Sequence, residues 1–153
     1  MMEKIRELRE LTGAGVMDAK KALEEAKGNV EKAVEIIREK GIAKAEKKSD
    51  RATANGRVHA YIHNTGKVGA LVEVACETDF VASNEEFVAM CKEIGMQVAS
   101  MNPKTVEELL AQSYIRDSSK TIEQMIKTLI GKTGENMKVV RFTRFELGVT
   151  EEE

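Results

Sequence analysis

The spacing of apolar residues changes after the first third of this chain, and that change restricts what the chain can build. Up to Ile37 the apolar side chains recur three and four apart; from Val58 to Cys76 they alternate with polar ones. The first period suits helices buried along one stripe, the second suits strands buried on one face. Helices followed by strands, rather than the two in alternation, predict an α+β architecture.

Residues 4 to about 40 read as three short helices. Ile5, Leu8 and Leu11 share one face of the first, and Ala19, Ala22, Leu23 and Ala26 line the second. Gly28 can end that second helix in a left-handed conformation, and Asn29 can cap a third carrying Val30, Ala33, Val34 and Ile37. A bundle of about 40 residues buries little surface, which suits a docking module better than an enzyme core. The stretch "GIAKAEKKSDRATANG", Gly41 to Gly56, holds four basic and two acidic residues and almost nothing large and apolar. Without interleaved aromatics it reads as a solvated linker or the frayed tail of the third helix rather than a nucleic-acid surface. The expected division is therefore a helical domain over 1–41, a linker over 42–55 and a core domain over 56–153.

In that core domain Val58, Ala60 and Ile62 alternate with Arg57, His59, Tyr61 and His63; "NTGK" (Asn64 to Lys67) supplies a turn; and Ala70, Val72, Val74 and Cys76 resume the alternation. This predicts a hairpin with one face on a core. Ser83 with Glu86 forms a capping-box pair ahead of a helix striped by Phe87, Cys91, Ile94, Val98 and Met101, which Asn102 and Pro103 end. Thr105 with Glu108 and Thr121 with Gln124 mark two further helix starts, the second leading into Ile122, Met125, Ile126, Leu129 and Ile130. A last strand, Met137 to Leu147, carries Val139, Val140, Phe142 and Phe145, before the acidic end Glu151 to Glu153. The core is thus expected to be a three-stranded antiparallel sheet with helices on one face.

Composition narrows the function. A net charge of -2 gives no general attraction to nucleic acid or anionic membrane. No apolar run is long enough to span a bilayer, and "MMEKIRELRE" is too charged for a secretory signal. The two cysteines, Cys76 and Cys91, sit in apolar periodic segments as small buried residues of a reducing compartment, so a cytoplasmic protein without disulfide framework is expected. Catalytic candidates are sparse. His59 and His63, four apart on one strand, stand about 13 Å apart, too far to share a metal ion, and their face is expected toward solvent or a partner. Glu73, Glu77 and Asp79 have no histidine or cysteine at ligand spacing, so neither a metal nor a cofactor is expected. "TGAG", Thr12 to Gly15, follows a helix where a phosphate loop needs a strand, and reads as a helix-to-helix turn.

One stretch resists a structural explanation. In "CETDFVASNEEF" the strand ending at Cys76 and the helix starting near Ser83 are separated by Thr78, Asp79, Phe80 and Val81, a surface turn holding two large apolar residues. With Ala82 available to staple against Phe87, the cap does not need Phe80. Phe80 is either a plug folded under the sheet edge or a rigid aromatic anchor held out for a pocket on another protein.

Three stretches, "LRELTGAGVMDAKKALEEAKGNVEKAVEIIREKG", "VEVACETDFVASNEEF" and "GENMKVVRFTRFELG", make the chain resemble the elongation factor Ts family, nucleotide exchange factors for the GTPase elongation factor Tu. The resemblance spans about Ile5 to Gly148. It implies a ubiquitin-associated-like helical domain that docks on the GTPase domain of elongation factor Tu through Arg9, Val16 and Met17. It also implies that Thr78, Asp79, Phe80 and Val81 are the exchange motif, inserted near the partner's Mg²⁺ site with the phenylalanine wedged between histidines. Implied partners are GDP-bound and nucleotide-free elongation factor Tu and a second copy of the chain in a homodimer, with no nucleic acid, membrane or catalytic residue involved. Thr133 stands where some members carry an isoleucine that touches the partner, so that contact is not carried over. An adaptor that binds without speeding nucleotide release is the alternative, and an enzyme built around His59, Tyr61 and His63 a more distant one.

Overall fold

The first three helices close on their own apolar cluster. In the computed structural model, which describes residues 1–150, α1 (Met2–Thr12), α2 (Val16–Glu25) and α3 (Val30–Lys47) pack Ile5, Leu8, Ala19, Ala22, Leu23 and Ala33 together. Gly13 ends α1 in a left-handed conformation, φ 69°, so the glycines of "TGAG" do serve a turn between helices. Asn29 caps α3 by accepting from the Lys32 amide at 3.0 Å.

Helix α3 does not stop where a linker was expected. Residues 42–47 continue it, because "IAKAEK" consists of residues that tolerate or favour helix and Gly41 is accommodated inside it. The extension carries Ala45 out of the bundle and into the larger apolar cluster. The connection without regular structure shrinks to 48–54.

That larger cluster lies between a sheet and its helices. Strands β1 (Asn55–Ile62), β2 (Val68–Cys76) and β5 (Met137–Glu146) form an antiparallel sheet in the order β1-β2-β5. Ala70, Val72, Val74 and Cys76 of β2 all face inward onto α5 (Glu85–Met101), whose Phe87, Cys91, Ile94 and Val98 are fully buried. Helices α6 (Val106–Ala111) and α7 (Ile122–Thr133) complete the layer. Thr121 and Gln124 form the expected capping box, and Thr105 caps α6. Between these helices lies a ribbon that the pattern did not announce, β3 (Ser113–Tyr114) with β4 (Asp117–Thr121). It is tied down by Gln97, whose amide is fully buried and bonds to Gln112, Ser113 and Ile115.

The expected face of β1 is reversed, and a bulge divides the apolar residues of β5 between two faces. On β1 the half-buried side chains are Arg57, His59 and Tyr61, while Val58 and Ile62 are exposed. Tyr61 fits because α5 presents Gly95 there, where an added Cβ would stand 2.9 Å from the Tyr61 Cβ. On β5 a bulge, with the register shifting between Val74 opposite Val139 and Glu73 opposite Arg141, leaves Val140 without a pair. Met137 and Val139 therefore point inward before the bulge and Phe142 after it, whereas Val140 and Phe145 are exposed. The acidic end Glu151 to Glu153 lies outside the described residues.

Candidate partner-binding site

The turn that follows β2 is helical. Asp79–Ala82 form a single turn, α4, capped by Thr78, whose hydroxyl accepts from the Val81 amide at 3.3 Å. Ser83 ends this turn, and the N-cap of α5 is Asn84, accepting from the Glu86 amide at 2.8 Å. The expected Ser83–Glu86 box and the Ala82–Phe87 staple therefore do not form. Two consecutive caps six residues apart create a compact corner.

A helix of four residues has too few internal hydrogen bonds to hold itself, so its orientation depends on neighbours. Glu135 supplies most of them. Its carboxylate accepts from the amides of Glu77 at 3.2 Å and Thr78 at 2.9 Å and from the Thr78 hydroxyl at 2.6 Å. Asn55 donates to the Glu77 carbonyl at 2.8 Å, and the Cys76 thiol donates to the Thr78 carbonyl at 3.3 Å. Val81 and Ala82 pack against the main core. Asp79 and Phe80 face outward, and Phe80 at 88% is the most exposed large hydrophobic side chain among the described residues. A core plug is excluded.

The other three candidates gather on the helical bundle. Val16 and Met17 open α2 and are exposed, and Arg9 reaches back from α1 to the Ala14 carbonyl at 3.2 Å. They ring the α1–α2 turn. A cleft of about 670 Å³ separates this turn from α5 and α7, and none of the seven candidate residues lines it. Thr133 is half-buried and faces its own helix, donating to the Leu129 carbonyl at 3.0 Å and accepting from the Glu135 amide at 3.3 Å.

Sequence reasoning did not single out Glu135. Its signal is only an acidic residue after a helix-ending glycine; the 57-residue separation from Thr78 hides the contact.

The two buried thiols are held protonated at neutral pH. Burial pushes the Cys91 thiol up to about 12, and burial with the Glu135 carboxylate nearby raises Cys76. Burial and the charges of Arg57 and Lys92 lower His59. Its neighbour Tyr61 hydrogen-bonds His63 at 3.2 Å, with His63 exposed. Among the described residues no three acidic, histidine or cysteine side chains converge as metal ligands, and no helix is long and apolar enough to cross a membrane.

Comparison with known proteins adds the context for this corner. Residues 77–152 match the family described as Elongation factor TS. Elongation factor Ts of Leptospira biflexa is 44% identical over 191 aligned positions covering 95% of this chain and 96% of that protein. The Thermotoga neapolitana protein of the same name is 42% identical, with 96% of each chain covered. Both alignments run longer than this chain's 153 residues, so these relatives contain segments without a counterpart here. Elongation factor Ts of Clostridium perfringens is 52% identical over 143 positions, 94% of this chain but 46% of that longer protein. With that identity sustained across nearly the full length of two relatives, the chain belongs to the elongation factor Ts family of translation elongation factors.

Proposed function

We propose that this protein is a guanine nucleotide exchange factor that binds GDP-bound elongation factor Tu, expels GDP and leaves the nucleotide-free GTPase ready for GTP. The observation that carries this reading is Phe80, almost fully exposed on a turn whose backbone is fixed by Glu135, Asn55 and the core. Exposing an aromatic ring on a rigid support is unfavourable in the isolated chain and favourable when a partner supplies the pocket. Thr78 and Val81 shape the turn, while Asp79 and Phe80 enter the partner. Arg9, Val16 and Met17 of the helical domain dock on its GTPase domain.

Exchange needs no bond-breaking group. Accelerating release about 10,000-fold requires favouring the release transition state over the nucleotide-bound ground state by about 5.5 kcal/mol. Factor and nucleotide must then weaken each other's binding in the ternary complex by equal factors. Docking through the bundle stabilises the bound and released states alike, so the differential part falls to Asp79 and Phe80. By displacing groups that support the partner's Mg²⁺, which tolerates little departure from octahedral geometry, they loosen the nucleotide.

The second copy expected in a homodimer would sit on the outer sheet face. Among the described residues no helix covers that face, where Val58, Ala60, Ile62, Leu71 and Phe145 are exposed around the Glu73–Arg141 ion pair at 3.3 Å. Contiguous apolar surface of this kind marks an association site.

The test is release of fluorescent GDP from elongation factor Tu with wild-type protein and with Phe80→Ala. Fast release with the first and slow release with the second supports the assignment. Binding without acceleration by the wild type would favour an adaptor.

A further inference from the structure

We propose that the loop Gly134–Asn136 is the positioning element of the exchange corner, holding α4 and the segment leaving α3 in one frame so that Phe80 keeps a fixed aim relative to the helical bundle. This rests on the exchange reading above and extends it to residues to which that reading gives no role.

Three successive residues each bind outward from this loop. Gly134 accepts from Arg51 Nη1 at 3.2 Å through its carbonyl. Glu135 takes the amides of Glu77 and Thr78 and the Thr78 hydroxyl. Asn136, only 3% exposed, donates its side-chain amide to the carbonyls of Ser49 at 3.3 Å and Arg51 at 2.8 Å, and its backbone amide to the Glu77 carboxylate at 2.8 Å. Arg51 closes the circuit with its guanidinium 3.6 Å from the same carboxylate. Residues 49–51 follow directly on α3, and residues 77–78 lead directly into α4.

Glu135 matters most because of where its bonds land. It satisfies amides at and before the N-cap of α4, which have no partner within so short a helix. Bonds to a carboxylate are also shorter and stronger than neutral ones. Without them the segment entering α4 loses three of its bonds and keeps the Asn55 and Cys76 contacts and the packing of Val81 and Ala82 to set its direction.

The experiment places 4-fluorophenylalanine at position 80 and compares wild type, Glu135→Gln and Glu135→Ala. Fluorine relaxation is read in the free protein, and GDP release from elongation factor Tu is titrated to saturation. Glutamine can still accept the two amides; alanine accepts nothing. The expected result is a mobile fluorine signal in Glu135→Ala alone. Its saturating release rate should fall about tenfold or more, while its half-saturating concentration, governed mainly by the bundle, stays within about threefold. An unchanged fluorine signal in a folded Glu135→Ala protein overturns the proposal. So does equal loss of rate in both variants with Phe80 still ordered, because Glu135 would then act by direct charge contact. If Glu135→Ala does not fold, Glu135→Ser, whose side chain is too short to reach the Glu77 and Thr78 amides, is read by the same criteria. Should wild type fail to accelerate release, the exchange reading falls while the fluorine comparison still decides the positioning role.

Discussion

Gly41 of α3 and Gly131 of α7 meet backbone to backbone. A Cβ built on Gly131 would stand 2.6 Å from the Gly41 Cα and 2.7 Å from its carbonyl oxygen, closer than any real Cβ contact. Gly131→Ala must push the helices apart and disturb the Lys127–Glu46 ion pair, 3.4 Å, that spans the same crossing. We expect it to destabilise the fold by about 1–3 kcal/mol, read as a lower urea midpoint. An unchanged midpoint would show that the crossing relaxes freely.

Stability and exchange should separate at the two neighbouring phenylalanines. Phe80→Ala removes an exposed ring, so the unfolding free energy should stay within about 0.5 kcal/mol of wild type. The interface should lose about 2 kcal/mol or more. Phe87→Ala empties a fully buried site and should cost about 3–5 kcal/mol of folding stability. Denaturant titration beside the GDP-release assay checks both, and a Phe80→Ala protein that melts early would make the ring a structural residue.

The thiols should be silent until the protein opens. With Cys91 buried and its thiol held near 12, almost no thiolate exists at pH 8, and Cys76 is buried and raised as well. Labelling by a disulfide reagent should follow the unfolding rate and become fast in denaturant. Rapid labelling of native protein would contradict this burial.

His59 should make the fold sensitive to mild acid. Burial, Arg57 and Lys92 hold its imidazole below the ordinary 6.5, so the unfolded chain takes up this proton before the folded one does. Stability is therefore intact above about pH 6.5 and declines as pH falls through that value toward the folded pKa. Melting temperatures of wild type and His59→Gln from pH 7.5 to 5 should diverge in slope, the variant being flatter. Parallel slopes would assign acid sensitivity to other groups.

The uncovered sheet face can be tested by charge. Ile62 and Phe145 flank Gly69 across three strands, and the Ile62 side chain lies over that glycine. Ile62→Lys and Phe145→Lys should remain folded and lower the light-scattering mass of a dimer to that of one chain. A mass that is the same for wild type and both variants would remove this face as the seat of a second copy.

Much of the architecture was legible because β2, α5 and α7 each carry uninterrupted stripes, and Thr121 and Gln124 an unambiguous cap. β1 misled because its better apolar stripe, Val58, Ala60 and Ile62, lies on the face that no helix among the described residues covers. Alternation gives the period of a strand but not which side the rest of the protein occupies. The end of α3 was hidden by Gly41, whose reason is a helix 90 residues away. Phe80 was conspicuous as an unexplained aromatic, whereas its support by Glu135 depends on a contact between distant segments.

Helix α3 also acts as a lever. At 1.5 Å per residue, Val30 stands about 16 Å from Gly41 along the axis, so a swing of about 10° at the glycine crossing would carry the far end about 3 Å. The α1–α2 turn that Arg9, Val16 and Met17 ring is not at that far end: Gly13 lies against the Lys132 side chain beside the crossing, so the swing moves the α2–α3 corner most. A small pivot angle thus becomes a large displacement of that corner, and the absence of side chains between Gly41 and Gly131 sets the angle at which the bundle is held to the rest of the chain.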